Sequence, residues 1–221
     1  MNRRPGEARA APDGGADRFP SPHAGRWCAD ERDDPITGLV AWPGFHRQLP
    51  ALLSAALRAG VPVGFAIGDV DDLKDHVEGV RDADPESFGH LAGNALMRRL
   101  GEVAREWWSR TGVVEGCLAT FGGDEIVLAA EVPDAERFRD LVTELRDRLA
   151  AALPRPVSFA ATTVRPAQLP GDVVGDEWIC GFCTHVIGEV DRALVGRKHD
   201  RRESGDVPLG FVVHVPPLSP E

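Results

Sequence analysis

The sequence lacks an apolar run of the roughly eighteen residues that a membrane-spanning helix needs, and its start lacks the apolar core of a secretory signal. We therefore expect a cytoplasmic protein. It also lacks an excess of positive charge, because 25 basic residues face 35 acidic ones and the formal net charge is -10. Such a surface repels phosphate backbones and anionic lipids, which excludes non-specific binding to nucleic acid or to a membrane surface. Any anionic ligand must therefore meet local cations or a metal.

Cysteine is scarce as well, with four residues in the chain: Cys28, Cys117, Cys180 and Cys183. In a cytoplasmic protein this number favours reduced thiols over a disulfide framework. Cys180 and Cys183, with His185 nearby, have part of the spacing of a zinc site. The sequence offers no second ligand pair, so thiols are favoured and a structural metal stays the alternative.

Composition divides the chain into a tail and one domain. Residues 1–33 are rich in Arg, Pro, Gly, Ala and Asp and have no apolar period, which predicts a disordered N-terminal tail. Trp27 is the one residue of this tail with a side chain suited to docking. The rest, residues 34–217, is long enough for a single domain with a full core.

Apolar periodicity in the domain predicts an α/β fold of the α+β kind. Helices are predicted between Pro43 and Gly60, over 88–110, between Pro133 and Pro154, and over 186–196; strands are predicted over 61–70, 157–164 (half-buried) and 209–215, with a hairpin over 117–130. The acidic segment 78–86 has no apolar period, so no helix or strand is predicted there. This order indicates a mostly antiparallel central sheet flanked by helices, as in palm-like folds.

The hairpin carries the most distinctive motif, Gly122-Gly123-Asp124-Glu125. Two apolar runs flank a Gly-Gly pair, and glycine adopts the positive φ angles that a tight turn requires. The two carboxylates have two interpretations. They are either solvated turn residues, or hard oxygen ligands of a divalent metal on a rigid hairpin whose glycines let a polyphosphate approach the backbone.

A second acidic group ends the predicted central strand 61–70. Asp69 closes that strand, and the stretch 69–75 holds four carboxylates and Lys74. The stretch is either a polar loop or a cation site, because a carboxylate buried without a partner is costly. If the strand and the hairpin are neighbours, their carboxylates converge. One or two Mg²⁺ or Mn²⁺ ions held there would bind a nucleoside triphosphate and activate a hydroxyl.

Five ordered segments resemble those of the GGDEF family, the diguanylate cyclases. They are DPITGL at 34–39, DVDDLK at 69–74, FGHLAGN at 88–94, FGGDEI at 121–126 and VDRALVGRKHDRRE at 190–203. The resemblance implies that two GTP molecules condense to cyclic di-GMP and pyrophosphate, with the two substrates meeting across a homodimer. It implies metal ligation by Asp69, the Val70 carbonyl, Asp124 and Glu125, catalysis by Asp124 and Glu125, and substrate binding by Lys74, Gly122, Gly123, Asn94, Lys198 and Arg202.

The departures from the family pattern fall on base recognition. Val77 stands where the family has a guanine-reading Asn, and Asn94 stands where it has an Asp. The segment after Val77 is longer by eight positions than the pattern, and an acid within it is a hypothetical substitute contact: Asp82, Asp84 or Glu86. A cyclase with altered nucleotide choice and a catalytically silent module that binds nucleotide or protein therefore stay open as alternatives.

Regulation is expected to differ from the family pattern too. Residues 113–116 read VVEG where the family has its product-inhibition motif, so feedback inhibition by that route is not expected. No sensory domain precedes the catalytic segment, and we expect a separate protein partner to control dimerisation.

Overall fold

A computed structural model describes residues 27–83, 89–166 and 176–219. The helices and strands follow one another as β1 (Val40–Ala41), α1 (Trp42–Arg58), β2 (Val63–Val70), α2 (Leu73–Ala83), α3 (Gly89–Trp108), β3 (Gly116–Gly122), β4 (Glu125–Glu131), α4 (Ala135–Ala152), β5 (Val157–Val164), α5 (Asp176–Ser204) and β6 (Val212–His214). The mixed α/β class predicted from periodicity is confirmed.

The strands form one sheet in the order β1-β3-β4-β2-β5-β6. The inner pairings, β3 with β4, β4 with β2 and β2 with β5, are antiparallel, whereas the outer strands β1 and β6 pair parallel to their neighbours. The prediction of a mostly antiparallel sheet is confirmed. The prediction that β5 is half-buried is wrong, because all eight of its residues are buried between β2, β6 and the flanking helices.

Two apolar cores lie on opposite faces of the sheet. One contains the inward residues of α1 and α5 together with Phe65 and Ile67 of β2. The other contains those of α3 and α4 with Ala66 and Val70 of the same strand. Because side chains alternate along a strand, β2 contributes to both cores and lies at the centre of the fold. The end of β2 is therefore held rigidly.

Three elements differ from the sequence prediction. The acidic segment after Asp69 forms α2, in which no residue is fully buried and the apolar side chains are only partly covered. The last helix is much longer than 186–196, and it includes Cys180 and Cys183. Cys183 is buried and Cys180 exposed, and the described residues contain no group of three side chains arranged to hold a metal ion.

The boundary of the predicted tail is also wrong at its inner end. Trp27 and Cys28 are 5% and 1% exposed and belong to the core between α1 and α5. Glu31 accepts hydrogen bonds from Arg47 and Gln48 of α1, at 2.9 Å each. The domain therefore begins at or before residue 27, while residues 1–26 of the predicted tail lie outside the described residues.

Within the described ranges, no helix is long and apolar enough to cross a bilayer.

Candidate functional site

The two acidic groups singled out in the sequence meet at one end of the sheet. Asp69 of β2 and Glu125 of β4 are direct partners in the antiparallel register. Ile67 lies two residues before Asp69, and Val127 lies two residues after Glu125. Both belong to the core that α1 and α5 cover. Since the side-chain period of a strand is two, both carboxylates continue that face beyond the edge of the core.

The hairpin is shaped by its glycines and by one hydroxyl. Gly122 and Gly123 have φ values of 116° and 66°, which L-residues rarely adopt. Thr120 donates from Oγ1 to the carbonyl of Glu125 at 2.8 Å, and the register shifts between Thr120 and Gly122. The Asp124 carbonyl accepts from the N–H of Val70 at 3.1 Å, which ties the hairpin tip to the end of β2.

Helix α5 brings two cations to these carboxylates. Lys198 forms an ion pair with Asp69 and approaches Asp71 Oδ1 to 3.2 Å with its Nζ atom, and its side chain is 10% exposed. One turn later, Arg201 donates to Asp72 at 2.7 Å. The site therefore alternates carboxylates and cations within a small volume.

Asp71 is the member of this cluster that motif matching does not assign. It is completely buried, and its Oδ2 accepts hydrogen bonds from Ser158 Oγ at 2.6 Å and from the N–H of Gly210 at 2.7 Å. Arg201 was likewise not singled out in the sequence. The sequence signals for these two residues are the acidic stretch 69–75 and the cationic end of the last helix. They show that charged residues are present, but not which carboxylate contacts which cation.

Crowding of negative charge changes the proton affinity of the site. The pKa of Glu125 is raised to about 7, chiefly by burial and then by Asp69, Asp124 and Asp191, and Lys198 opposes this rise. Burial also raises the pKa of Asp69; Lys198 counteracts that effect, and Asp124 and Asp71 add to it. A carboxylate with a pKa near 7 is suited to accept or give a proton at neutral pH.

Three other side chains expected to bind substrate lie on the helices α2, α5 and α3. Lys74 is on α2 with an 84% exposed side chain, 3.7 Å from Glu78. Arg202 is exposed at the end of α5, and Asn94 is half-buried on α3. A Cβ built on Gly93 would lie 3.6 Å from a Val77 methyl, so Val77 packs on α3 beside Asn94.

Parts of the predicted base-recognition region lie outside the described residues. These are Phe88 of the 88–94 segment, and Asp84 and Glu86 of the longer segment. Asp82 falls on α2 and is exposed.

The donor chemistry fits a hard divalent cation. Asp69, Asp124 and Glu125 provide the carboxylate oxygens that Mg²⁺ and Mn²⁺ prefer. No group of three ligands is already arranged for an ion in the described part of the chain, and Lys198 is paired with Asp69. A bound ion would therefore compete with Lys198 for the Asp69 carboxylate.

Comparison with known proteins gives a partial sequence match. No family model matches the chain. Diguanylate cyclase DgcP of Pseudomonas aeruginosa is 28% identical over 118 residues, which are 53% of this chain and 16% of that protein. The chain thus matches a small part of this much longer relative.

Solved structures agree over most of the chain. The diguanylate cyclase SiaD of Pseudomonas aeruginosa, in complex with its activator SiaC, has a TM-score of 0.61 at 17% identity, over 83% of this chain and 61% of that chain. The GGDEF domain of DgcB from Caulobacter crescentus, in complex with c-di-GMP, has a TM-score of 0.60 at 18% identity, over 82% and 92%. The chain therefore has the fold of GGDEF domains, and part of its sequence is similar to a diguanylate cyclase.

Proposed function

We propose that this GGDEF domain is a diguanylate cyclase, which condenses two GTP molecules to cyclic di-GMP and two pyrophosphates in a homodimer. The observation that carries the proposal is the direct pairing of Asp69 with Glu125 at the sheet edge, with Lys198 beside them. Two strand-borne carboxylates and a cation from a third element form the charge arrangement that metal-assisted phosphoryl transfer needs. The tip of the Gly-Gly hairpin leaves room for a triphosphate, since a Cβ at Gly122 or Gly123 would meet nothing within 4 Å.

In each half-reaction the 3′-hydroxyl oxygen of one GTP attacks the α-phosphorus of the other. A P–O bond forms, the bond to pyrophosphate breaks, and the hydroxyl proton must leave. Asp69, Asp124, Glu125 and the Val70 carbonyl would hold Mg²⁺ or Mn²⁺, which supplies charge neutralisation at the phosphates. Glu125, a carboxylate of the hairpin, is the proposed proton acceptor. The cations Lys198, Arg202 and Lys74 are proposed to bind phosphate oxygens, with Lys74 moving to reach them.

A change of base choice is the second candidate, and Val77 favours it. Its methyl group packs toward Gly93 of α3, so this position offers an apolar surface where an amide would read a guanine edge. Asn94 keeps a donor and an acceptor, which an adenine edge can also satisfy. The proposed reaction is otherwise the same.

Product identification by mass spectrometry separates these functions. The protein is incubated with Mg²⁺ or Mn²⁺ and with GTP, ATP or both. Cyclic di-GMP from GTP alone supports the cyclase, and an adenine-containing product supports the altered base choice. The Asp124→Ala and Glu125→Ala variants are expected to lose at least about a hundredfold in rate, because each removes a charge at the reacting phosphates. A folded protein that binds nucleotide and yields no product is a silent module and contradicts both.

A protein partner is part of the proposal. The SiaD structure contains an activator protein, and its diguanylate cyclase shares this fold. We propose that a partner likewise controls dimerisation of this chain. Titrating protein concentration in the product assay tests the dimer, since a rate that rises with the square of concentration at low concentration is expected.

A further inference from the structure

Lys198 is shared between two carboxylates that differ in their surroundings. Asp69 is 26% exposed at the sheet edge, whereas the side chain of Asp71 is completely buried. Asp71 is also fixed in orientation, because Ser158 of β5 and the backbone of Gly210 both donate to its Oδ2. Its Oδ1 is left facing Lys198 at 3.2 Å and Arg201 at 3.8 Å.

The Oδ1 atom of Asp71 has no hydrogen-bond donor among the described residues, so its charge is balanced by ion pairing alone. A buried carboxylate without a cation is strongly unfavourable. Arg201 is the farther of the two cations and donates its short hydrogen bond to Asp72. Lys198 is therefore the cation on which Asp71 depends.

We propose that Asp71 is a positioning residue that keeps Lys198 at the site when Asp69 is engaged by a metal ion. This inference rests on the proposed function, in which Asp69 is a ligand and Lys198 binds phosphate. When the charge of Asp69 is neutralised by another cation, Lys198 loses its first partner. The buried charge of Asp71 then prevents the lysine from swinging into solvent, and the ammonium stays beside the incoming phosphates.

The first test needs neither metal nor nucleotide. The metal-free full-length chain is treated with an N-acetylating ester, and the acetylation rate of Lys198 is followed by mass spectrometry. Asp69→Asn and Asp71→Asn are matched variants, because each replaces a carboxylate by its isosteric amide. We expect the rate in Asp69→Asn to stay within about twofold of the original chain, and the rate in the Asp69→Asn/Asp71→Asn double variant to rise about tenfold or more, as Lys198 loses both partners and becomes accessible.

Fast labelling in Asp69→Asn overturns the proposal, and so does labelling in the double variant that is no faster than in Asp69→Asn. Circular dichroism establishes whether the double variant folds. If it does not, the Asp69→Asn variant decides alone: slow labelling supports the role of Asp71, and fast labelling contradicts it. Exposed Lys74 is an internal reference, since its rate should not change among the variants.

The second test links the role to substrate. The affinity for Mg²⁺–GTP is measured by calorimetry for the original chain, Lys198→Met, Asp71→Asn and the double variant. In the original chain, Lys198→Met is expected to weaken the affinity for Mg²⁺–GTP. In the Asp71→Asn background, the fold-loss caused by Lys198→Met should be at least about fivefold smaller, because contacting residues are energetically coupled. Additive effects overturn the proposal. If the original chain binds no GTP, the proposed function fails, and the labelling order still decides whether Asp71 holds Lys198.

Discussion

At the scale of single residues, the sequence identifies charges better than it identifies their partners. Asp69 and Glu125 could be predicted because a strand end and a Gly-Gly hairpin are local patterns. Asp71 and Arg201 could not, because their importance comes from burial against elements more than eighty residues away in the chain, as with the 87-residue separation of Asp71 and Ser158. An acidic stretch has the same sequence pattern whether its carboxylates are solvated or buried.

The raised pKa of Glu125 predicts a pH-dependent stability in the metal-free protein. The ordinary pKa is 4.5 and the folded value is about 7, so between these values the folded state holds a proton that the unfolded chain has released. The free energy of unfolding therefore falls as the pH rises through this window and levels off above it. Glu125→Gln should flatten this fall and be more stable at pH 8 by about 1 kcal/mol, after allowance for solvent screening.

Chemical denaturation at a series of pH values measures this effect. Glu144→Gln, in an exposed pair with Arg148 on α4, is the matched control and should keep the original pH profile. An unchanged profile in Glu125→Gln would show that the carboxylate crowding does not govern proton binding there.

At the scale of elements, burial decides what a sequence pattern reveals. The helices α1, α3 and α4 each press an apolar face on the sheet and were predicted. The helix α2 has no buried residue and was missed, although it carries Lys74 and Val77. In α5 the buried apolar stripe already begins at Ile179 and Phe182, before the predicted start at residue 186, and the charged turn with Lys198 extends the helix at its other end.

The junction between α3 and the DPITGL turn provides an element-scale prediction. A Cβ at Gly101 of α3 would lie 1.9 Å from the carbonyl oxygen of Thr37, so Gly101→Ala must push the helix from the turn. We expect a loss of about 1–3 kcal/mol in the free energy of unfolding, as for other overpacked sites. Gly79→Ala on α2 meets no atom within 4 Å and should gain up to about 1 kcal/mol from helix propensity.

Urea denaturation of both variants checks this pair. Equal stability of the Gly101 variant and the original chain would mean that α3 and the turn are not in close contact. A loss in the Gly79 variant would contradict the placement of that residue within a helix.

At the scale of the whole molecule, the described domain is larger than composition indicates. The residues before Asp34 have no apolar period, so the sequence predicts a tail, yet Trp27 and Cys28 fill the core between α1 and α5. Isolated apolar residues carry no periodic signal, and only the tertiary structure shows that they are buried. The segment 27–33 is thus part of the domain, and it lies on the same core as α5, the helix that supplies Lys198.

Trp27→Ala tests whether this segment stabilises the domain. Removing a buried indole should cost about 3–5 kcal/mol of unfolding free energy. The measurement is thermal or urea unfolding, with Val114→Ala, at a 59% exposed position, as a control with little effect. If Trp27→Ala and Val114→Ala unfold alike, residues 27–33 do not belong to the folded domain.

The paired carboxylates of β2 and β4 are proposed to form a metal–triphosphate site. Electron paramagnetic resonance of Mn²⁺, titrated with GTP and protein, measures ion binding directly. We expect a protein-bound Mn²⁺–GTP signal in the original chain, and an affinity for Mn²⁺–GTP that falls at least about tenfold in Asp69→Asn and Glu125→Gln, because each variant removes an anionic oxygen ligand. Mn²⁺–GTP binding of unchanged strength in both variants would contradict this proposal.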